Sequence, residues 1–114
     1  MAQDICVLCG ASAYEQKYYL NPAFQRLPQQ IKDELQILCV LFTEDIGGVI
    51  TLFFDNEGNL LINTSAAEED ILYDEIGCGL KVHKIQMENR ELFEQLEAYY
   101  KVIREGGSDY AAGH

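Results

Sequence analysis

The chain is poor in positive charge. It has eight Lys and Arg residues against 19 Asp and Glu residues, which gives a net charge of −11. Nucleic acids and anionic membranes are bound mainly through clustered cations, whereas the cations here are scattered along the sequence. We therefore expect neither nucleic acid nor a membrane surface as a partner. The acidic excess favours solubility, a cationic partner or a divalent metal.

Long apolar runs and an export signal are also lacking. The longest apolar run, Ile37 to Phe42, is far shorter than the ~20 residues that span a bilayer. The first residues do not form a basic region followed by an apolar stretch, the pattern of a secretory signal. Four cysteines in 114 residues are too few for a disulfide scaffold. The sequence therefore predicts a cytoplasmic protein with free thiols.

The strongest periodic pattern predicts a long helix at 28–44. Proline is tolerated in a first helical turn, and Pro28 stands at the start of this segment. The apolar residues that recur at steps of three and four are Leu27, Ile31, Leu35, Leu38 and Phe42. The run from Ile37 to Phe42 is apolar on every side, and such a helix is typically buried all round. We expect a central, buried helix that ends at Gly47 and Gly48.

A β-hairpin is predicted directly after this helix. Residues 49–54 are β-branched and aromatic, 55–59 form a turn sequence that contains Gly58, and 60–64 are suited to a return strand. Glycine supplies the positive φ that tight hairpin turns require. The segment 49–64 is therefore expected to contribute two antiparallel strands.

Capping patterns predict two further helices. Glu15 stands three residues after Ser12, as in a capping box, which indicates a short helix over 14–20. Ser65 is positioned to cap a helix that begins at Ala66 and carries acidic residues in its first turn. Its expected buried stripe consists of Leu72, Ile76 and Leu80, with Ile71 beside it.

The C-terminal part is expected to be helical as well. Two glycines at 77 and 79 weaken the pattern by roughly 1 kcal/mol each. A helix through 77–86 is nevertheless favoured over a break followed by a third strand. The last helix, about 89–104, presents an apolar face of Leu92, Leu96, Tyr99 and Ile103. Residues 105–114 lack apolar periodicity and are expected to form a flexible tail.

These elements predict the α+β class. We expect one domain at 1–104 in which a central buried helix, a β-hairpin and two C-terminal helices pack on one face of a small antiparallel sheet. The flexible tail at 105–114 would lie outside this domain.

The Cys6-x-x-Cys9 pair is the main candidate for chemistry. Two thiolates at this spacing can share a zinc ion, but a closed zinc site needs four ligands, and no second pair is present. Cys39, Cys78, His83 or a second chain would have to complete the site. A redox dithiol is the second interpretation, and packing of both cysteines as small hydrophobic residues is the third.

The other reactive residue types are expected to be structural. Cys39 lies in the apolar half of the long helix and is predicted to be a core residue. Cys78 is predicted to pack against a neighbouring backbone, since glycines beside a small residue often mark close approach. His83 is expected on the surface without a catalytic partner, and the acidic groups are expected to form a solvated surface.

Aromatic residues near the N-terminus form a candidate interface. Tyr14, Tyr18, Tyr19 and Phe24 surround Lys17, and tyrosine is favoured where one side of a ring is apolar and its tip is wet. They are expected either to cover the core of their own chain or to contact a partner or a second copy.

Several segments resemble a family of small uncharacterised bacterial proteins. They are Leu8–Gly10, Tyr14–Pro22, Asp33–Ile37, Phe42–Asp45, Gly47-Gly48, Tyr73–Gly77 and Leu96–Lys101. The resemblance covers residues of about 5–104 and implies a cytosolic single-domain protein. It implies no reaction, ligand or partner.

The functional expectation is a non-catalytic accessory or protein-binding domain with a protein partner or self-association, such as a homodimer. The alternative is a zinc-binding or redox-active thiol protein that uses Cys6 and Cys9. A small enzyme whose site assembles from acids, His83 and tyrosines is a third possibility. No cofactor other than zinc is expected.

Overall fold

The computed structural model of the protein describes residues 5–106, and side chains as far as Arg104. The strands are β1 (Cys6–Ser12), β2 (Lys17–Leu20), β3 (Val49–Phe54) and β4 (Leu60–Ser65), and the helices are α1 (Gln29–Asp45), α2 (Glu75–Glu88) and α3 (Arg90–Lys101). A 3-10 turn (Pro22–Phe24) precedes α1, and a π-helical segment (Val102–Gly106) follows α3. The α+β class, the long helix, the hairpin and the last helix are confirmed.

The strands form one antiparallel sheet in the order β2-β1-β3-β4. The predicted helix over 14–20 is wrong, because Lys17 to Leu20 form an edge strand on β1. Tyr18 and Leu20 are less exposed than Lys17 and Tyr19, and this alternation fits the two-residue period of a strand. The Ser12 hydroxyl accepts a hydrogen bond from the Glu15 amide at 3.2 Å, but it caps a turn between the strands.

A β-bulge in β1 shapes the N-terminal strand. The register shifts between Val7 and Cys9, so Leu8 is the extra residue. Asn21 holds this irregularity, since its side-chain amide donates to the Val7 carbonyl at 2.7 Å and its backbone amide donates to the Leu8 carbonyl at 2.9 Å. The bulge therefore satisfies its backbone acceptors within the fold.

The core lies between one face of the sheet and the helices. Leu35, Cys39 and Phe42 of α1 are fully buried. The expectation that α1 is buried all round is wrong, because Ile37 is 57% exposed and Leu41 is 54% exposed. Within the described residues the side of α1 turned away from the sheet has no covering layer, so these two side chains remain in solvent.

Aromatic rings join the 3-10 turn, β3 and α3. Phe54 stacks on Tyr100 with ring centroids 4.2 Å apart and planes 6° from parallel. Phe24 packs on Phe54 at 5.7 Å and is 1% exposed. Phe24 therefore belongs to the core and presents no surface to a partner.

Helix α2 begins later than predicted. Ser65 pairs with Val49 as the last residue of β4, which prevents it from capping a helix at Ala66. Asp74 is the cap instead, and its carboxylate accepts from the Gly77 amide at 3.1 Å. The helix then continues through Gly77 and Gly79 to Glu88, as predicted for 77–86.

No helix in the described range 5–106 combines the length and the hydropathy needed to cross a membrane. Of the predicted tail at 105–114, Glu105 and Gly106 belong to the π-helical segment. The remainder, 107–114, lies outside the described residues.

Candidate functional site: the exposed apolar surface of helix α2

Four large aliphatic side chains beside and on α2 are turned to solvent. The exposed fractions are 88% for Ile71, 89% for Leu72, 78% for Ile76 and 68% for Leu80. We call these four residues the α2 apolar surface. The prediction that they form a buried stripe is wrong, because α2 turns Cys78 and Ile85 towards the core and no part of the described chain covers its opposite side.

Acidic residues form a border of the α2 apolar surface, directly before Ile71 and between Leu72 and Ile76 in the sequence. They are Glu68, Glu69, Asp70, Asp74 and Glu75. The carboxylate of Asp70 accepts a hydrogen bond from the Tyr14 hydroxyl at 2.6 Å, and Asp74 caps α2. The ion pairs of the described residues, Lys81 with Asp45 and Lys84 with Glu88, involve none of these five acids. Their negative charge is therefore not neutralised by neighbouring cations in the described part of the chain.

A shallow groove lies between α1 and α2, and none of the four residues of the α2 apolar surface lines it. It encloses about 280 Å³ and is lined in part by Ile37 and Leu41 of α1 and by Lys81 and Ile85 of α2. The exposed side chains of α1 thus lie along one wall of a groove whose other wall is α2.

A larger cavity of about 590 Å³ lies on the other side of α2, next to β4. Three polar groups meet in its wall: the Tyr73 hydroxyl donates to the Cys78 thiol at 2.9 Å, and this thiol donates to the Thr64 hydroxyl at 3.4 Å. Burial and the contact with Cys78 raise the pKa of Tyr73 to about 12. Cys78 is 5% exposed, so its predicted burial is confirmed, but its thiol contacts the side chains of Tyr73 and Thr64 and not a neighbouring backbone.

The loop that carries Ile71 and Leu72 is hydrogen-bonded to Tyr14 in the turn between β1 and β2. The Tyr14 hydroxyl donates to Asp70, as described above, and accepts from the Ala67 amide at 3.0 Å. The hydrogen bond to Asp70 raises the pKa of the Tyr14 phenol above its ordinary value. Tyr14 therefore positions the loop.

The structure separates Cys6 and Cys9 into different surroundings. In a regular strand, residues three apart point to opposite faces. The bulge between Cys6 and Cys9 instead places both opposite core-facing residues of β3, Phe54 and Leu52. Cys6 is half-buried, and burial raises the pKa of its thiol, an effect partly offset by the Tyr100 hydroxyl.

Cys9 instead meets Cys39, a contact that sequence spacing does not reveal. Both side chains are fully buried, and their Sγ atoms are 3.9 Å apart. Hydrogen bonding to Cys9 and burial raise the pKa of the Cys39 thiol. Only a thiolate acts as a metal ligand or nucleophile, and the surroundings of Cys39 favour its protonated form. Within residues 5–106 no three His, Cys, Asp or Glu side chains converge as ligands for an ion.

The predicted aromatic interface divides in the structure. Tyr14 is 47% exposed and Tyr19 is 53% exposed, whereas Phe24 lies in the core. Tyr18 faces Cys9 and Cys39, and burial, followed by the effect of Cys9, raises the pKa of its phenol. Its hydroxyl is buried without a hydrogen-bond partner in the described residues. Tyr14 and Tyr19 are thus the members that retain surface for a partner.

Sequence reasoning located the stripe of the α2 apolar surface but assigned it to the core. The signal that could have corrected this is the density of acids directly before it. Five carboxylates within residues 68–75 are difficult to place beside a buried stripe, because carboxylates are almost never fully buried unless paired.

The family comparison gives a match over the whole of the described range. A family model with the description "Family of unknown function (DUF6145)" matches residues 5–108. No curated protein and no solved structure matches the chain.

Proposed function

We propose from its geometry that the chain, which belongs to this family of unknown function, is a protein-binding domain without a reaction of its own. Its partner docks on the α2 apolar surface.

The exposure of four neighbouring aliphatic residues is the observation that supports this proposal. Scattered exposed hydrophobic residues are normal, but contiguous apolar patches on soluble proteins often mark interaction sites. Ile76 and Leu80 are four residues apart on one helix, a spacing that places them on the same face. A partner helix or groove can therefore contact both side chains at once.

The cavity of about 590 Å³ beside β4 supports binding more than catalysis. Its thiol, Cys78, contacts the hydroxyls of Tyr73 and Thr64, and neither hydroxyl is a general base for a thiol. His83 is on the exposed side of α2, as expected. We therefore assign no nucleophile–base pair to this cavity.

The occupant that charge favours is a different protein. Two copies docked through the α2 apolar surface would bring their acidic borders into one interface, and like charges brought together are unfavourable. Self-association is the competing outcome of the test. The proposed location is the cytoplasm, supported by four unpaired cysteines, which are typical of reducing compartments.

The test compares two double variants that remove the same side chains from different helices. Ile76→Ser/Leu80→Ser alters the α2 apolar surface, and Ile37→Ser/Leu41→Ser is the matched control on α1. Proteins that the wild type captures from an extract of its native cells are identified, purified and titrated back by calorimetry. We expect the first variant to weaken binding at least about tenfold, or about 1.4 kcal/mol, since truncating even one important interface residue costs more than about 1 kcal/mol, and we expect the control to retain binding.

Two results would contradict the proposal. The first is equal affinity of both variants for the purified partner. The second is a wild-type dimer in light scattering that becomes a monomer in Ile76→Ser/Leu80→Ser, because the surface would then serve self-association.

A further inference from the structure

We infer that the segment docking on the α2 apolar surface is an amphipathic helix with Lys and Arg residues along one border of its apolar face. This inference rests on the proposed function and adds the chemistry of the partner.

The spacing of the exposed residues favours a helical occupant. Ile76 and Leu80 both lie on α2, one helical turn apart, about 6 Å along the axis. A partner helix presents apolar side chains at intervals of three and four residues, so its row can pack beside this one. An extended strand, with side chains alternating between two faces, matches such a row less well.

The acidic border of the α2 apolar surface favours a partner that carries Lys and Arg residues. Residues 66–80 contain five acids and no Lys or Arg. Glu68, Glu69 and Glu75 are exposed, and none of the hydrogen bonds or ion pairs described above uses their carboxylates. They are therefore available to cations of a docked helix, and such complementary charge favours correct partners and raises the rate of association.

The charge distribution along α2 also predicts at which end of this helix the cations of the partner lie. Cations begin only at Lys81, which pairs with Asp45 at 3.3 Å, and at Lys84, which pairs with Glu88. The Lys and Arg residues of the partner should thus lie over the start of α2 and the loop before it. Over the end of α2, where the charges are already paired, the partner needs no excess of cations.

The test uses two defined peptides of about four helical turns. One carries Leu on one face and Lys on the other, and its counterpart has Glu in place of every Lys. Affinity is measured by calorimetry near 0.15 M salt, where exposed charges act over about 8 Å. We expect the Leu/Lys peptide to bind at least about tenfold more tightly than the Leu/Glu peptide, with affinity falling as salt is raised.

Charge variants of the protein separate local recognition from net charge. Glu68→Gln/Glu69→Gln/Glu75→Gln removes three border charges. The matched control, Glu34→Gln/Glu91→Gln/Glu94→Gln, removes three exposed charges elsewhere. We expect the first variant to weaken Leu/Lys binding by about fivefold, in keeping with the modest strength of surface charge pairs, and the control by less than about twofold. Equal weakening by both triple variants, or no weakening by either, would overturn the inference.

The Ile76→Ser/Leu80→Ser variant distinguishes a failure of the docking surface from a failure of the cationic-partner inference. If it loses both peptides while the wild type binds them equally, the docking surface stands and the cationic partner is refuted. If it binds the Leu/Lys peptide as tightly as the wild type, the peptide does not use this surface and the inference fails. Circular dichroism of each variant confirms that a lost affinity does not reflect unfolding.

Discussion

The side chain of Asp55 stabilises the turn of the hairpin between β3 and β4. One of its carboxylate oxygens accepts from the backbone amides of Glu57 and Asn59, each at 2.9 Å. Gly58 completes the turn at a φ of +88°, a conformation that glycine adopts without strain. These hydrogen bonds favour the ionised carboxylate and lower the pKa of Asp55.

The lowered pKa predicts a pH dependence of the turn. A depressed folded pKa means that the carboxylate stabilises the fold at pH above its ordinary pKa of about 4, and that this contribution is lost as pH falls through the folded value. We expect the Asn59 amide resonance in NMR to titrate with a midpoint below about 4. In Asp55→Asn, which keeps an acceptor oxygen, this step should vanish while the turn persists. A midpoint at or above the ordinary value would show that the hydrogen bonds do not hold the turn.

Among the helices and strands, apolar periodicity predicted the correct element where the local sequence pattern agrees with the packing in the fold. The step-of-four pattern in α1 and the β-branched run of β3 both coincide with their packing in the core, so both were predictable. Strand β2 was not, because the Ser12–Glu15 cap pattern is compatible with a turn as well as a helix. Only pairing with β1, a contact between separate elements, selects the strand.

The edge strand β4 is held by a carboxylate from α3. The Leu60 amide donates to Glu97 Oε2 at 2.8 Å, which satisfies a backbone donor on the open edge of the sheet. No sequence pattern links these residues, since they are 37 positions apart.

Removing this contact should loosen β4 against α3. We expect Glu97→Ala to lower the free energy of unfolding by about 1 kcal/mol, the typical net value of a hydrogen bond. Glu94→Ala, an exposed change on the same helix, should alter it by less than about 0.5 kcal/mol. Hydrogen exchange of the Leu60 amide should accelerate only in the first variant. Equal stability of the two variants would exclude Glu97 as a tether of β4.

For the whole molecule, the arrangement of layers decides which apolar residues face solvent. The helices cover one face of the sheet, and each helix uses one side for the core. Sequence periodicity identifies the apolar stripe of a helix but not whether another layer exists to cover it. For α1 the covered stripe contains Leu35 and Cys39, whereas for α2 the most apolar stripe, with Ile76 and Leu80, is the uncovered one. The stripe was therefore predictable from the sequence, whereas its exposure depends on which layers the fold provides.

If the α2 apolar surface serves a partner, it takes no part in the stability of the free domain. The most direct test of this claim is the free energy of unfolding of Ile76→Ser/Leu80→Ser, measured by denaturant titration at two protein concentrations with Leu35→Ala as the buried comparison. We predict a change within about 0.5 kcal/mol for each exposed position at both concentrations, and a loss of about 2–5 kcal/mol for Leu35→Ala. A loss of about 2 kcal/mol or more per serine would mean that these side chains are buried in the folded protein, and would contradict the account.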